Sequence, residues 1–200
     1  MAEDYNIELY KAKPFAEYTQ AELASTAEQI LARLPKSIEE AQFDSLMEPL
    51  SYLWNLLGKP QRSKLNKAMN AHAAGLQAIR WLPKVKALIE KQSFEKTKGG
   101  SGHVYFILLD QTRFVTTNTK CGIYIGQSKY IPHKRFKQHR AGIRSSGEVR
   151  RNGRYVLQSL SYKFTPINIP EAKRLEAECY EVICAAKLTN LPKKIVQGGH

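Results

Sequence analysis

Four residues in the second half of the chain have types and spacings suited to work on a phosphodiester: Tyr105, Tyr124, Arg135 and His139. Hydrolysis of such a bond needs an attacking water, an acceptor for its proton, a cation on the non-bridging oxygens and help for the leaving oxygen. Arg135 and His139 are four residues apart, so a helix would put them on one face. An arginine holds phosphate at two points, and a histidine moves protons near neutral pH. Tyrosine is an ordinarily poor base, but a cation such as Arg135 or Lys129 nearby would favour its ionised form. A magnesium ion would need one carboxylate and accepts water elsewhere. Glu178 stands at one edge of the apolar stripe of the last amphipathic segment, where a carboxylate can face a groove. Glu176 lies near the opposite edge and Glu181 points away. Taken singly, each of these residues has an ordinary explanation in packing, a solvated basic face or a helical ion pair; their joint occurrence in one half of the chain carries the reading.

The elements that must position them follow from pattern. "HVYFILLD" and "KCGIYIG" are short β-rich apolar runs carrying Tyr105 and Tyr124, joined by the turn-prone "QTRFVTTNT" as an extended hairpin. "PHKRFKQHRAG" predicts a helix, with Pro132 early and Gly142 as the stop. "SSGEVRRNGR" reads as a basic loop or frayed helix, and "YVLQSLSYKFTPINI" as a helix end followed by a third strand. "PEAKRLEAECYEVICAAKLTN" predicts a long helix with Leu175, Cys179, Val182, Ile183 and Ala186 as its stripe. The first half reads helical throughout. "TQAELASTAEQILARL" has helical spacing, Ser37 with Glu40 fits a capping box, and Gly58 then Pro60 supply a stop. "QRSKLNKAMNAHAAGLQAIRWL" continues the pattern to Pro83, and "KVKALIEKQ" is a last short helix. The polar, glycine-rich "SFEKTKGGSGH" marks the boundary. The expected organisation is a helical domain over 1–93, a linker over 94–102 and a small α/β domain with a short central sheet over 103–200, α+β as a whole.

Charge divides the same way. The net charge is +13. Residues 1–95 hold 12 basic and 12 acidic side chains, and residues 96–200 hold 19 and 6. An imbalance confined to one half assigns a polyanion partner to that half. Lys129, Lys134, Arg135, Lys137, Arg140, Arg144, Arg150, Arg151 and Arg154 fall within 127–155, opposed only by Glu148, which suits phosphate tracking. Nothing there reads as a base-recognition code. The neutral half offers a docking surface for a protein partner or a second copy. Cys121, Cys179 and Cys184 show neither a CxxC nor zinc spacing, so packing is expected and no disulfide or structural zinc. No run is long and apolar enough to span a membrane, and the N-terminus lacks the pattern of a secretory signal. The chain is expected to be cytoplasmic as synthesised, with export by a signal-free route left open.

"YIGQSKYIPHKRFKQH" resembles the core of the GIY-YIG nuclease superfamily: Tyr-Ile-Gly, a turn, then Arg-x-x-x-His on the first helix. "EVICAAKLTN" after Glu178 resembles that family's later helix, and the 12 residues from Glu178 to Asn190 match its spacing. The resemblance covers about residues 102–194. It implies a GIY-YIG-like nuclease domain acting on DNA with one Mg2+ or Mn2+ ion. Tyr105 or Tyr124, with Tyr105 preferred, would orient or deprotonate the water, and Arg135 would hold the scissile phosphate. His139 would support the base, Glu178 would bind the metal, Asn190 would brace the site and Lys129 would contact phosphate. The sequence departs from the pattern in three places. The first tripeptide is "VYF", in the context "GHVYFILL". The interval from Tyr105 to Tyr124 is longer than in compact members, and that from Tyr124 to Arg135 exceeds the pattern by one residue. The alternatives are a catalytically weak nucleic-acid-binding module, or the same nuclease serving as an antibacterial toxin or a restriction enzyme.

Overall fold

The computed structural model describes residues 17–36, 43–72, 76, 78–94, 99–110, 121–164, 166–186 and 194–198. The hairpin connection, the Ser37–Glu40 cap and Asn190 lie outside them. The chain divides into two compact units, Met1–Leu82 and Pro83–His200.

In the first unit, α1 (Gln20–Arg33) opens on a capping box: Thr19 Oγ1 accepts from Glu22 N at 3.2 Å, and Thr19 N donates to Glu22 Oε2 at 2.6 Å. Leu23, Ala27 and Ile30 then recur at helical spacing and are buried. α2 (Phe43–Leu56) buries Leu46, Met47, Leu50, Leu53 and Trp54. α3 (Lys59–Ala71) starts behind Gly58 with Pro60 in its first turn, where a missing N–H costs nothing. Trp54 Nε1 donates to Asn66 Oδ1 at 2.6 Å, tying α2 to α3. The helical pattern expected to run on to Pro83 stops at Ala71. His72 is extended, and the Met69 carbonyl accepts from both His72 N and Leu76 N, which ends the regular ladder.

The boundary expected at 94–102 is not where the units part. The second unit begins inside α4 (Leu82–Lys91). Lys163 Nζ donates to the Ile89 carbonyl, and the Phe94 ring packs edge-on against Phe164 at 5.4 Å. The glycines of the supposed linker serve close approach instead. Gly102 N donates to Ile167 O at 2.7 Å and Ile167 N to Gly102 O at 2.9 Å. Gly100 has φ +128°, and a Cβ there would collide with the Ile167 carbonyl.

The second unit carries a mixed four-stranded sheet: β1 (His103–Asp110), β2 (Cys121–Ser128), β3 (Gly153–Val156) and β4 (Ile195–Gln197), in the order β3-β1-β2-β4. β1 is antiparallel to β2 and β3, and β4 runs parallel to β2. Between β2 and β3 come α5 (Pro132–Arg140) and α6 (Gly147–Asn152). After β3 come α7 (Gln158–Ser161), a 3-10 turn (Tyr162–Phe164) and α8 (Ile169–Ala185). The third strand thus precedes its helical turn, the reverse of the expected order, and β4 is additional. Alternation along β1 sends Tyr105, Ile107 and Leu109 to one face, where Tyr124, Val149, Val156 and Phe136 pack with them. Phe106 faces the other way toward Phe164, and its N–H donates to Ser161 Oγ at 3.0 Å. Helices cover both faces, which is why β1 is almost wholly apolar. Among the described residues no helix is long and apolar enough to cross a membrane.

A fragment of residues 83–200 should unfold cooperatively in urea. A fragment starting at 95 loses the buried Val85 and Ile89 with the half-buried Phe94 and should be weaker by about 3 kcal/mol or more, the scale of removing buried apolar side chains. Equal stability of the two would contradict a division at Leu82.

Candidate active site

The β1–β2 register sets Tyr105 opposite Gly126 and Ile107 opposite Tyr124. The two tyrosines therefore share a face as diagonal neighbours, with ring centroids 6.1 Å apart. Gly126 makes this possible: a Cβ there would lie 2.7 Å from both Tyr105 Oη and a carbon of the Tyr124 ring. α5 lays His139 over the pair, 5.6 Å from the Tyr124 ring centroid and edge-on to it. Tyr105, Tyr124 and His139 are all buried.

Tyr105 Oη and His139 Nε2 are 2.8 Å apart. The other imidazole nitrogen, Nδ1, accepts from the Ser146 backbone N–H at 3.1 Å. An N–H can only donate, so Nδ1 is unprotonated and the neutral ring carries its proton on Nε2. His139 is therefore a donor toward Tyr105 and stabilises negative charge on that oxygen rather than extracting its proton. Burial, and then the charge of Arg135, push the His139 pKa down to about 4, in agreement with a neutral ring. Ser145 Oγ donates to the His139 carbonyl at 2.8 Å and fixes the loop that carries Ser146.

Arg135, one turn earlier on α5, donates through Nη1 to Ile143 O at 3.2 Å and to Gln138 Oε1 at 3.3 Å, and through Nη2 to Arg144 O at 2.7 Å. These bonds hold its guanidinium beside Tyr105. Burial, with the neighbouring Tyr124, raises the Tyr105 pKa far above the ordinary phenol value, and Arg135 pulls it back only in part. Tyr124 is raised by burial and by the charge of Glu176, with the Tyr105 hydroxyl and Arg135 acting in the other direction.

The carboxylate that lies at this cluster is Glu176, whereas the sequence expectation named Glu178. Glu178 has a side chain 36% exposed and forms an ion pair with Arg174, which also faces Glu171 at 3.8 Å. Glu176 is 1% exposed, and its Oε1 has no hydrogen-bond partner. Burial raises its pKa to about 7. Backbone N–H groups of Gly198 and Gln127 lie near enough to oppose that shift, but Gly198 N donates to Ile125 O at 2.8 Å. A Cβ placed on Gly198 would sit 2.9 Å from Tyr124 Oη and 3.1 Å from Glu176 Oε1, so these two oxygens converge on one point beside β4. The signal for Glu176 was present in the sequence. Ala172, Leu175, Glu176, Cys179 and Ile183 are the buried face of α8, and their spacing is the regular helical stripe with one carboxylate inside it. No local pattern announces β4 or the Ser146 N–H.

The basic residues are spread around α5 and α6. Lys129, Lys134, Lys137, Arg140, Arg144, Arg150 and Arg151 are exposed. Lys129 and Lys134 lie over the Tyr130 ring at 5.5 and 5.0 Å. Arg140 donates to Gly153 O at 3.2 Å, Arg151 faces Glu148 at 3.6 Å, and Arg154 faces Asp110 at 3.4 Å. Glu148 also accepts from Lys194 at 2.8 Å, which tethers the start of β4 to α6. The oxygens that converge there are the Glu176 carboxylate and the Tyr124 phenol. A single carboxylate with an unpartnered oxygen fits a hard divalent cation that keeps water in most of its remaining positions. The chain matches no protein-family model, no curated protein and no solved structure among those compared with it.

His139 should titrate near pH 4 rather than 6.5, and ring nitrogen NMR should show the Nε2–H form at neutral pH. Because the folded pKa lies below the unfolded value, its contribution to stability is complete above pH 6.5. That contribution is lost as pH falls toward 4, by about 3 kcal/mol at most. Protonation at half-height near pH 6.5 would contradict the assigned geometry.

Proposed function

We propose that the chain is a metal-dependent endonuclease that hydrolyses phosphodiester bonds in DNA, with Tyr105, Tyr124, Arg135, His139 and Glu176 as its site. The observation that carries this reading is the buried Tyr105–His139 hydrogen bond beside an arginine and an orphaned carboxylate oxygen, in the half of the chain that holds the whole net positive charge. The resemblance to the GIY-YIG superfamily supports it, with Glu176 in place of Glu178 as the metal-binding carboxylate.

In this reading Arg135 binds the scissile phosphate with the N–H groups not committed to the carbonyls of Ile143 and Arg144. Tyr105 first releases its own proton to solvent, against the burial that disfavours its phenolate. The phenolate oxygen then takes the proton of the attacking water as the new P–O bond forms and the bond to the leaving oxygen breaks. His139 donates from Nε2 to that oxygen throughout, which lowers the energy of the phenolate form. Tyr124 places a second hydroxyl beside Tyr105 and Glu176. Glu176 Oε1 would hold a divalent cation, which would supply Lewis acidity to the phosphodiester. The surrounding lysines and arginines attract DNA in a salt-dependent way.

Purified protein with Mg2+ or Mn2+ should nick or cut plasmid DNA. Glu176→Gln should lower the rate by about 100-fold or more, and Tyr105→Phe by about 100- to 10,000-fold. Glu178→Gln should leave activity within about 3-fold, as expected for an exposed ion pair. Undiminished cutting by Glu176→Gln would overturn the site. Salt-sensitive DNA binding with no cleavage under any divalent ion would instead make the chain a binding module.

A further inference from the structure

Two isoleucines flank Arg135 and both face solvent. Ile131 is 56% exposed and Ile143 55%. A single exposed apolar residue is ordinary, but these two are joined through one arginine. Arg135 N donates to Ile131 O at 3.0 Å, and Arg135 Nη1 donates to Ile143 O at 3.2 Å. Ile131 is the N-cap of α5 and Ile143 lies three residues past its end, where its carbonyl meets the guanidinium that the proposed mechanism gives to the phosphate.

Their presentation is rigid. Ile131 precedes Pro132, which restricts its backbone to extended geometry, and it is held there at φ −54°, ψ 147°. Ile143 sits between Gly142, at φ +80°, and Arg144, at φ +43°. Arg144 is the one non-glycine residue with positive φ among the described residues. That conformation costs about 1–2 kcal/mol, and Arg135 Nη2 clamps it by donating to the Arg144 carbonyl. The Ile143 N–H donates to Gln138 O at 2.9 Å. Strain retained at a loop tip that turns an isoleucine outward points to a use for that side chain.

The surroundings define the partner. Residues 127–147 contain no Asp or Glu and include Lys129, Lys134, Arg135, Lys137, Arg140 and Arg144. The ligand therefore combines negative charge with an apolar surface that two isoleucines can cover. A stacked duplex hides its base faces. Bases become apolar targets where a step is kinked, unpaired or single-stranded, and inserted isoleucines are a known means of holding such steps open. Tyr130, with Lys129 and Lys134 at its ring, adds a stacking platform at the Ile131 end. An anionic membrane is the weaker fit, because binding there scales with buried apolar area and two side chains offer little.

We propose that Ile131 and Ile143 are specificity-determining wedges that select DNA with unstacked bases beside the scissile phosphate. The inference rests on the nuclease reading for the phosphate, but its test does not depend on cleavage. Binding of the full chain is measured by fluorescence anisotropy, without metal, on a matched duplex and on the same duplex carrying a single-stranded flap with 2-aminopurine at the junction. Wild type should bind the flap about 10-fold more tightly or better, equivalent to roughly 1.4 kcal/mol, with a change in 2-aminopurine emission. Ile131→Ser/Ile143→Ser should bring the two affinities within about 2-fold and abolish the emission change. Duplex affinity and thermal melting should stay the same, since exposed substitutions cost within about 0.5 kcal/mol. Ile131→Leu/Ile143→Leu should restore the preference. An unchanged preference in the serine variant, equal binding of both DNAs by wild type, or tighter binding to anionic vesicles than to DNA would overturn the proposal. If wild type cleaves DNA without preferring the flap, only this inference fails; if it binds no DNA, the nuclease reading fails with it.

Discussion

The hydrogen bond between Tyr105 and His139 is the constraint around which the second unit is arranged. It is buried, so each group must be satisfied within the protein or leave an orphan that costs about 1–3 kcal/mol. His139 meets that demand from both sides, taking the Ser146 N–H on Nδ1 and giving the Nε2 proton to Tyr105. The loop after α5 must return to bring Ser146 to the ring, and Gly142 at positive φ lets it turn. The sheet must leave room for the Tyr105 ring, and Gly126 does so. Replacing one partner therefore disturbs α5, the loop and the sheet together.

Glu176 sets a second constraint of opposite character. Its Oε1 is buried without a partner, close to Tyr124. A protein whose stability amounts to about 5–15 kcal/mol does not carry such a group without consequence. β4 helps create the situation. It pairs with β2 by only three residues and is followed by Gly198, where a Cβ would meet both oxygens. The Lys194–Glu148 pair anchors the other end of this strand. The single acidic residue in the basic segment thus helps build the floor of the site rather than merely tempering its charge.

Features governed by near neighbours were legible in the sequence. The period-two runs around Tyr105 and Tyr124, the Pro132-to-Gly142 helix and the stripe of α8 each follow from local pattern, and the i, i+4 spacing of Arg135 and His139 placed both on one helix. Features governed by distant partners were not. "GGSGH" has the composition of a linker, yet its glycines allow backbone contact with Ile167, more than sixty residues away. The short β4 carries no periodicity, and the second unit takes in α4 through the contacts of Phe94 with Phe164 and of Lys163 with the Ile89 carbonyl. Glu176 is a different case. Its place within the buried stripe was readable, but a carboxylate is ordinarily assigned to the stripe's edge, and Glu178 took its role. Asn190, chosen by spacing from Glu178, lies outside the described residues.

The central claim is that the two tyrosines, His139 and the Glu176 carboxylate form one site that receives a divalent cation. Paramagnetic broadening by Mn2+ tests it without any assumption about substrate. In wild type the ring signals of Tyr124 and Tyr105 should broaden first, followed by those of His139. The effect should vanish in Glu176→Gln and persist in Glu178→Gln. Broadening centred on Arg174 and Glu178, or lost in the Glu178 variant and retained in the Glu176 variant, would contradict the account.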